Sequence, residues 1–171
     1  MKNQRYRIVA VGGGTGLSTL LRGLKRYDID ITAVVAVSDD GGSSGRLRSE
    51  LGVLPPGDIR NCLVSLSEEE SLMTKLFQYR FPKKGALSNH SFGNLFLTAL
   101  SSVSGGFDKA VSNASDVLAI KGKVLPVSLD NVKLKATLIN GQQVQGESRI
   151  SKSKSAISRV EIYPGNAKVS K

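Results

Sequence analysis

The sequence predicts an α/β fold: a parallel sheet with helices on both faces, followed by a small antiparallel β appendage. Three observations carry that expectation. The apolar runs Ile8–Val11 and Ile29–Val37 flank a stretch with Leu17, Leu20, Leu21 and Leu24 at helical spacing, the pattern of a right-handed βαβ unit. Helical periodicity recurs between Ile59 and Leu118. From Gly122 the period changes to alternation, with Val132, Leu134, Ala136 and Leu138 separated by Lys133, Lys135 and Thr137.

The first run, Ile8–Val11, is continuous, as in a parallel strand covered on both faces. It passes into Gly12-Gly13-Gly14-Thr15-Gly16-Leu17, a turn that brings backbone N–H groups close to any anion there. The helix that follows directs its positive dipole end at the same place. The spacing matches neither common phosphate loop. Leu17 stands where a dinucleotide fingerprint has its third glycine, and no lysine occurs before Lys25. A turn whose glycines serve packing alone is the alternative.

The second strand ends at Ser38-Asp39-Asp40, beside the first glycine loop if the βαβ geometry holds. Gly41 to Arg48 reads as a second anion loop: glycines free the backbone, Ser43 and Ser44 add hydroxyls, and Arg46 and Arg48 add forked donors. A solvated loop is the alternative. Asp39 and Asp40 would repel a phosphate unless they bind a cation, and Mg²⁺ commonly takes one or two carboxylates plus phosphate oxygens. Asp58, after Pro55-Pro56-Gly57, suits either a helix N-cap or a ligand role, with Asn61 one turn on. Cys62 lies in an apolar helical pattern and reads as core. Ser67-Glu68-Glu69-Glu70 reads as a capping box opening a helix to about Arg80. The single histidine, His90, precedes Ser91 and a helix start at Gly93-Asn94, which suggests polar atoms converging on that helix end. Asn140-Gly141 signals a hairpin.

The division expected is a Rossmann-like phosphate-binding domain over 1–121 and the β appendage over 122–171. Composition narrows the class. The chain has 171 residues, 40% hydrophobic, and no apolar run near the ~20 residues of a membrane helix, so a cytoplasmic protein is expected. The net charge of +10 is concentrated in the last third. A nucleic-acid-binding module is a minor reading of that charge, because no aromatic platform accompanies it.

The motifs Gly12–Leu17, Ser38–Arg48, Pro56–Asn61, His90–Asn94 and Gly122-Lys-Val-Leu-Pro126, taken together, resemble the bacterial gluconeogenesis factor family. That family is similar to the phospholactate transferases. The resemblance implies a cytoplasmic protein needed for normal cell shape on gluconeogenic carbon sources, binding a UDP-sugar or similar nucleotide. It implies a divalent metal, Mg²⁺, on Asp40, with Asp39 beside it, and on Asp58. Nucleotide phosphate contacts then fall on Gly12, Gly13, Gly14, Thr15, Gly16, Leu17, Ser43, Ser44, Arg46, Asn61, His90, Ser91 and Asn94. The alternative it carries is a Mg²⁺-dependent phospholactate-type transferase. Asn89 departs from the family's usual glycine. Family members also continue beyond this length with a second half that includes a Gly-Pro-Gly-Ser-Leu-Tyr segment, so the chain corresponds to the front of the family fold. An unpaired sheet edge in such a fragment favours a homo-oligomer.

Overall fold

The computed structural model describes residues 5–68 and 71–170. The α/β architecture is the expected one. Strands β1 (Tyr6–Gly12), β2 (Ile29–Val35) and β3 (Lys123–Pro126) form a parallel sheet in the order β1-β2-β3. Strands β4 (Lys133–Leu138), β5 (Gln143–Gln145) and β6 (Ile157–Tyr163) form a separate antiparallel sheet in the order β5-β4-β6. Helices α1 (Gly14–Leu24), α2 (Gly42–Leu51), α3 (Gly57–Leu66), α4 (Leu72–Gln78), α5 (Phe92–Ser104) and α6 (Phe107–Val117) lie between β1 and β3 in the chain, and the four-residue α7 (Glu147–Ile150) precedes β6.

Register explains the core. Ala10 pairs with Ala33 and Ala33 with Val124, so these residues share one face, together with Val35 one step of two further along β2. Leu17 and Leu21 of α1 and Ile59, Leu63 and Leu66 of α3 are buried in the same cluster, which continues through Phe77, Leu97 and Val111. The opposite row is different: Val9 is 65% exposed and Val11 72%. Thus the apolar run expected to be covered on both faces is buried only along its Ala10 row.

Other expectations shift in detail. β3 pairs with β2 in the parallel sheet, so the strand at 123–126 belongs with the residues before it and the antiparallel sheet begins at β4. The connection through α6 returns the chain to the parallel sheet. Of the expected capping box, Glu69 and Glu70 lie outside the described residues. The cap of α4 is Ser71, whose Oγ accepts from the Thr74 N–H at 3.1 Å, while the Ser67 hydroxyl donates to Val64 O at 2.8 Å. The hairpin at Asn140-Gly141 forms as expected, with Asn140 Oδ1 accepting from Gln142 N–H at 3.1 Å and Gly141 at φ +82°. Among the described residues no helix is long and apolar enough to cross a membrane.

One close approach positions α2. A Cβ on Gly45 would lie 2.0 Å from the Asp40 carbonyl oxygen, whereas one on Gly16 would meet nothing within 4 Å. Gly45→Ala is therefore expected to lower the unfolding free energy by about 3 kcal/mol, at the upper end of overpacking costs. Gly16→Ala, in a helical position, should raise it by about 0.5–1 kcal/mol. Urea denaturation of both variants checks the pair.

Candidate functional site

The carboxyl ends of β1 and β2 deliver two adjacent turns, as open parallel sheets do around their ligands. At the first, Gly13 is the N-cap of α1 in extended conformation, with no side-chain cap, and Gly14 takes φ +62°. Asp58 fills the place a cap would take, since its carboxylate lies against the Gly14 N–H. The fit is close: a Cβ on Gly13 would sit 2.9 Å from Asp58 Oδ2 and 3.1 Å from Ala36 Cβ. Asp58 is not the N-cap of its own helix. Pro56 holds that position in α3, and Asp58 lies in the first turn with its side chain toward α1.

At the second turn the expected anion loop is helix α2. Ser43, Ser44 and Arg48 are buried rather than solvated. Asp39 Oδ1 accepts from the Gly41 N–H at 2.9 Å, at the α2 N-cap. Ser44 Oγ accepts from the Gly57 N–H at 3.1 Å, tying the starts of α2 and α3 together. A Cβ on Gly57 would lie 2.4 Å from Ser44 Oγ and 3.1 Å from Asp39 Oδ2. Asp40 turns to the appendage, where its Oδ1 accepts from the Ser148 N–H at 2.8 Å in the first turn of α7. Ser38 Oγ donates to Glu147 Oε2 at 3.1 Å beside it. Each of Asp39, Asp40 and Asp58 thus receives a backbone N–H at the start of a helix, a favourable place for a negative charge.

Electrostatics singles out Asp58. Its pKa is raised, chiefly by burial, with Asp39 and Glu147 adding to the effect; the Gly14 N–H and Arg60 oppose it. The charges of Asp39 and Glu147 thus reach Asp58. Sequence reading missed Glu147 because it lies in the appendage, in a stretch with no periodic or motif signal. Among the described residues no group of three His, Cys, Asp or Glu side chains is placed to hold a metal by itself. The Asp39–Asp58 pair does fit a cation such as Mg²⁺ that completes its shell with ligand phosphate and water. The like-charge contribution to the raised Asp58 pKa is the interaction a cation there would relieve.

A polar floor lies behind these carboxylates. Asn94 Nδ2 donates to Ser43 Oγ at 3.1 Å, and Ser43 Oγ lies 2.9 Å from His90 Nδ1. With Oγ accepting from Asn94, its proton is directed at Nδ1, which suits a neutral ring protonated at Nε2. Burial lowers the His90 pKa, Arg46 lowers it further, and Glu50 opposes them. Ser91 Oγ caps α5 by accepting from the Asn94 N–H at 3.2 Å, and the buried Asn94 Oδ1 has no partner among the described residues.

The remaining expected residues have separate placements. Thr15 O accepts from the Ser18 hydroxyl at 2.9 Å, Gly12 O accepts from Ala36 N–H at 2.7 Å, and Leu17 is buried in the core. Arg46 Nη2 donates to Ser88 O, holding the loop before His90. Asn61 Oδ1 accepts from Arg60 Nη2 at 2.5 Å. Arg48 is not a free phosphate donor: its guanidinium is buried on Asn131 Oδ1 and Val132 O, clamping α2 to the appendage. Cys62 is core, as expected, and its thiol is pushed up to about 12, first by burial and then by Asp58. A cleft of about 820 Å³ is at the opposite, amino end of the strands, lined by Arg7, Lys25, Asp30 and Lys123 among others. It does not meet the helix starts described above.

The family model of the 2-phospho-L-lactate transferase CofD matches residues 8–171. The chain belongs to the CofD family. It is 52% identical over 161 residues to the gluconeogenesis factor of Bacillus subtilis, covering 94% of this chain and 51% of that protein. It is 50% identical over 165 residues to the gluconeogenesis factor of Halalkalibacterium halodurans, covering 96% and 51%. A crystal structure of a Bacillus halodurans protein superposes with a TM-score of 0.92 at 50% identity, covering 98% of this chain and 54% of that one. The chain therefore spans about half the length of these CofD-like relatives.

His90 gives the site a pH signature. Its pKa is lower folded than unfolded, so between the two values the unfolded chain binds more protons. The associated stability is complete above about pH 6.5 and is lost as pH falls below it. Since the chain has one histidine, urea midpoints should fall between pH 7 and pH 5 in the native chain. The slope should flatten in His90→Gln; an unchanged slope in that variant refutes the assignment.

Proposed function

We propose that this chain binds the phosphate groups of a nucleotide or UDP-sugar, together with Mg²⁺, at the converging starts of α1, α2 and α3. The observation that carries this reading is the Asp39–Asp58 pair seated on uncapped helix ends at the carboxyl edge of β1 and β2. In it Asp39 and Asp58 hold the cation, with Asp40 held against α7 in the next layer. Mg²⁺, when bound, neutralises phosphate charge. The remaining N–H groups of α1 and α2 orient the phosphate oxygens, and Ser43, His90 and Asn94 form the polar wall behind them. As a gluconeogenesis factor by its relatives' names, the protein would act in this reading as a regulatory binder that supports cell shape during growth on gluconeogenic carbon sources. The family match supports a second reading, a Mg²⁺-dependent phospholactate-type transferase using the same carboxylates.

Asp58→Asn tests the site directly. Calorimetric titration with UDP-N-acetylglucosamine and with GDP, each with and without Mg²⁺, is expected to show Mg²⁺-dependent binding weakened by about tenfold or more in the variant. The unliganded variant should be more stable by about 0.5–1 kcal/mol, because a buried, repelled carboxylate has been removed. Binding indifferent to both Mg²⁺ and the substitution would dispose of the proposal. Metal-dependent transfer to a phospholactate acceptor, abolished by Asp58→Asn, would select the enzyme reading over the regulatory one.

A further inference from the structure

The row of β1 that the core leaves out continues across the parallel sheet. By register Val9 pairs with Thr32 and Thr32 with Lys123, while Val11 pairs with Val34 and Val34 with Leu125. These residues share the face opposite Ala10, Ala33 and Val124. Val9, Val11 and Leu125 are exposed, and Val34 is only half-buried. The apolar surface runs on past the end of β3 into a hollow of about 470 Å³ lined by Val34, Leu125, Val127, Leu129 and Val169 among others. Parallel sheets are covered on both faces, so bare valines here are out of keeping with the class. A contiguous apolar patch of this kind marks an interaction surface.

Two observations identify the occupant. In the order β1-β2-β3 the outer edge of β1 pairs with no strand among the described residues, so edge and face are open together. The second observation is the path of the chain. Lys168 N–H donates to Asp130 Oδ2 at 2.6 Å, Ser128 Oγ donates to Lys168 O at 2.5 Å, and Ser170 N–H donates to Val127 O at 2.9 Å. The last described residues are thereby fastened against the hollow at the end of β3. Relatives that share this fold at about 50% identity run to about twice its length, so a continuation of the chain from this point meets the bare face first.

We propose that the Val9–Val11–Val34–Leu125 face and the free edge of β1 seat the half of the CofD-family fold that lies beyond this chain's match. The occupant is a further strand alongside β1 and an amphipathic helix laid across the valines. Main-chain hydrogen bonds to the edge hold the strand. The apolar stripe of the helix covers Val9, Val11, Val34 and Leu125, and acidic side chains on its flank meet Arg7 and Lys123 at the amino end of the same face.

The chain's single cysteine, Cys62, is buried, so an introduced thiol reports on this face alone. Val11→Cys is compared with Val103→Cys, a control on α5 at a position 84% exposed. Both are made in the 171-residue chain and in a chimera continued from Lys171 with the unmatched half of the Halalkalibacterium halodurans protein. Dithionitrobenzoate is expected to label the two positions comparably fast in the 171-residue chain. In the chimera, labelling of Val11→Cys should slow by about tenfold or more while that of Val103→Cys stays as it was. Equal labelling of Val11→Cys in the two proteins overturns the proposal. So does protection of Val11→Cys in the shorter chain through dimerisation, since the face then belongs to a second copy. A chimera in which Cys62 becomes reactive also overturns it, because a half that fits this face leaves the core closed.

Discussion

Two backbone approaches that admit no side chain hold the candidate site together. At Gly45 the α2 backbone rests on the Asp40 carbonyl, and at Gly57 the α3 backbone rests on Ser44 and Asp39. With these contacts the starts of α2 and α3 meet at the ends of β1 and β2, and Asp58 reaches the start of α1. A methyl group at either position would separate the helix ends and disperse the carboxylates. Packing density and site geometry are here one constraint. The Arg48 clamp extends it to the appendage, where α7 sets Glu147 on Ser38, its charge felt at Asp58, and offers a backbone N–H to Asp40.

Much of this was legible in the chain itself. The βαβ start, its glycine turn and the helix after it follow from a change of hydrophobic period at Gly12, a local signal that tertiary context did not override. Asp58 and His90 were recognisable because each adjoins a helix start. The α2 segment was not. Its glycines and serines have poor helical propensity, and the helix forms because Ser43 and Ser44 find buried partners in Asn94 and Gly57 that lie far along the chain. Arg46 and Arg48 look alike in sequence, yet one holds the loop at Ser88 and the other is spent on Asn131. Only the fold could assign such partners. Glu147 is the extreme case, since its role depends wholly on where the appendage docks.

The charges of the cradle explain why a metal accompanies the phosphate in the proposed function. Helix starts contribute about half a positive charge each. At α1 and α2 those charges are already met by Asp58 and Asp39, with Glu147 adding a further negative charge and Arg60 a positive one. By that count the unliganded site keeps about one net negative charge, and Asp39 and Glu147 add to the burial that raises the Asp58 pKa. A phosphate dianion arriving alone would have to displace these carboxylates from the very N–H groups it needs. Arriving with a divalent cation, it leaves the net charge unchanged and turns the carboxylates from competitors into ligands.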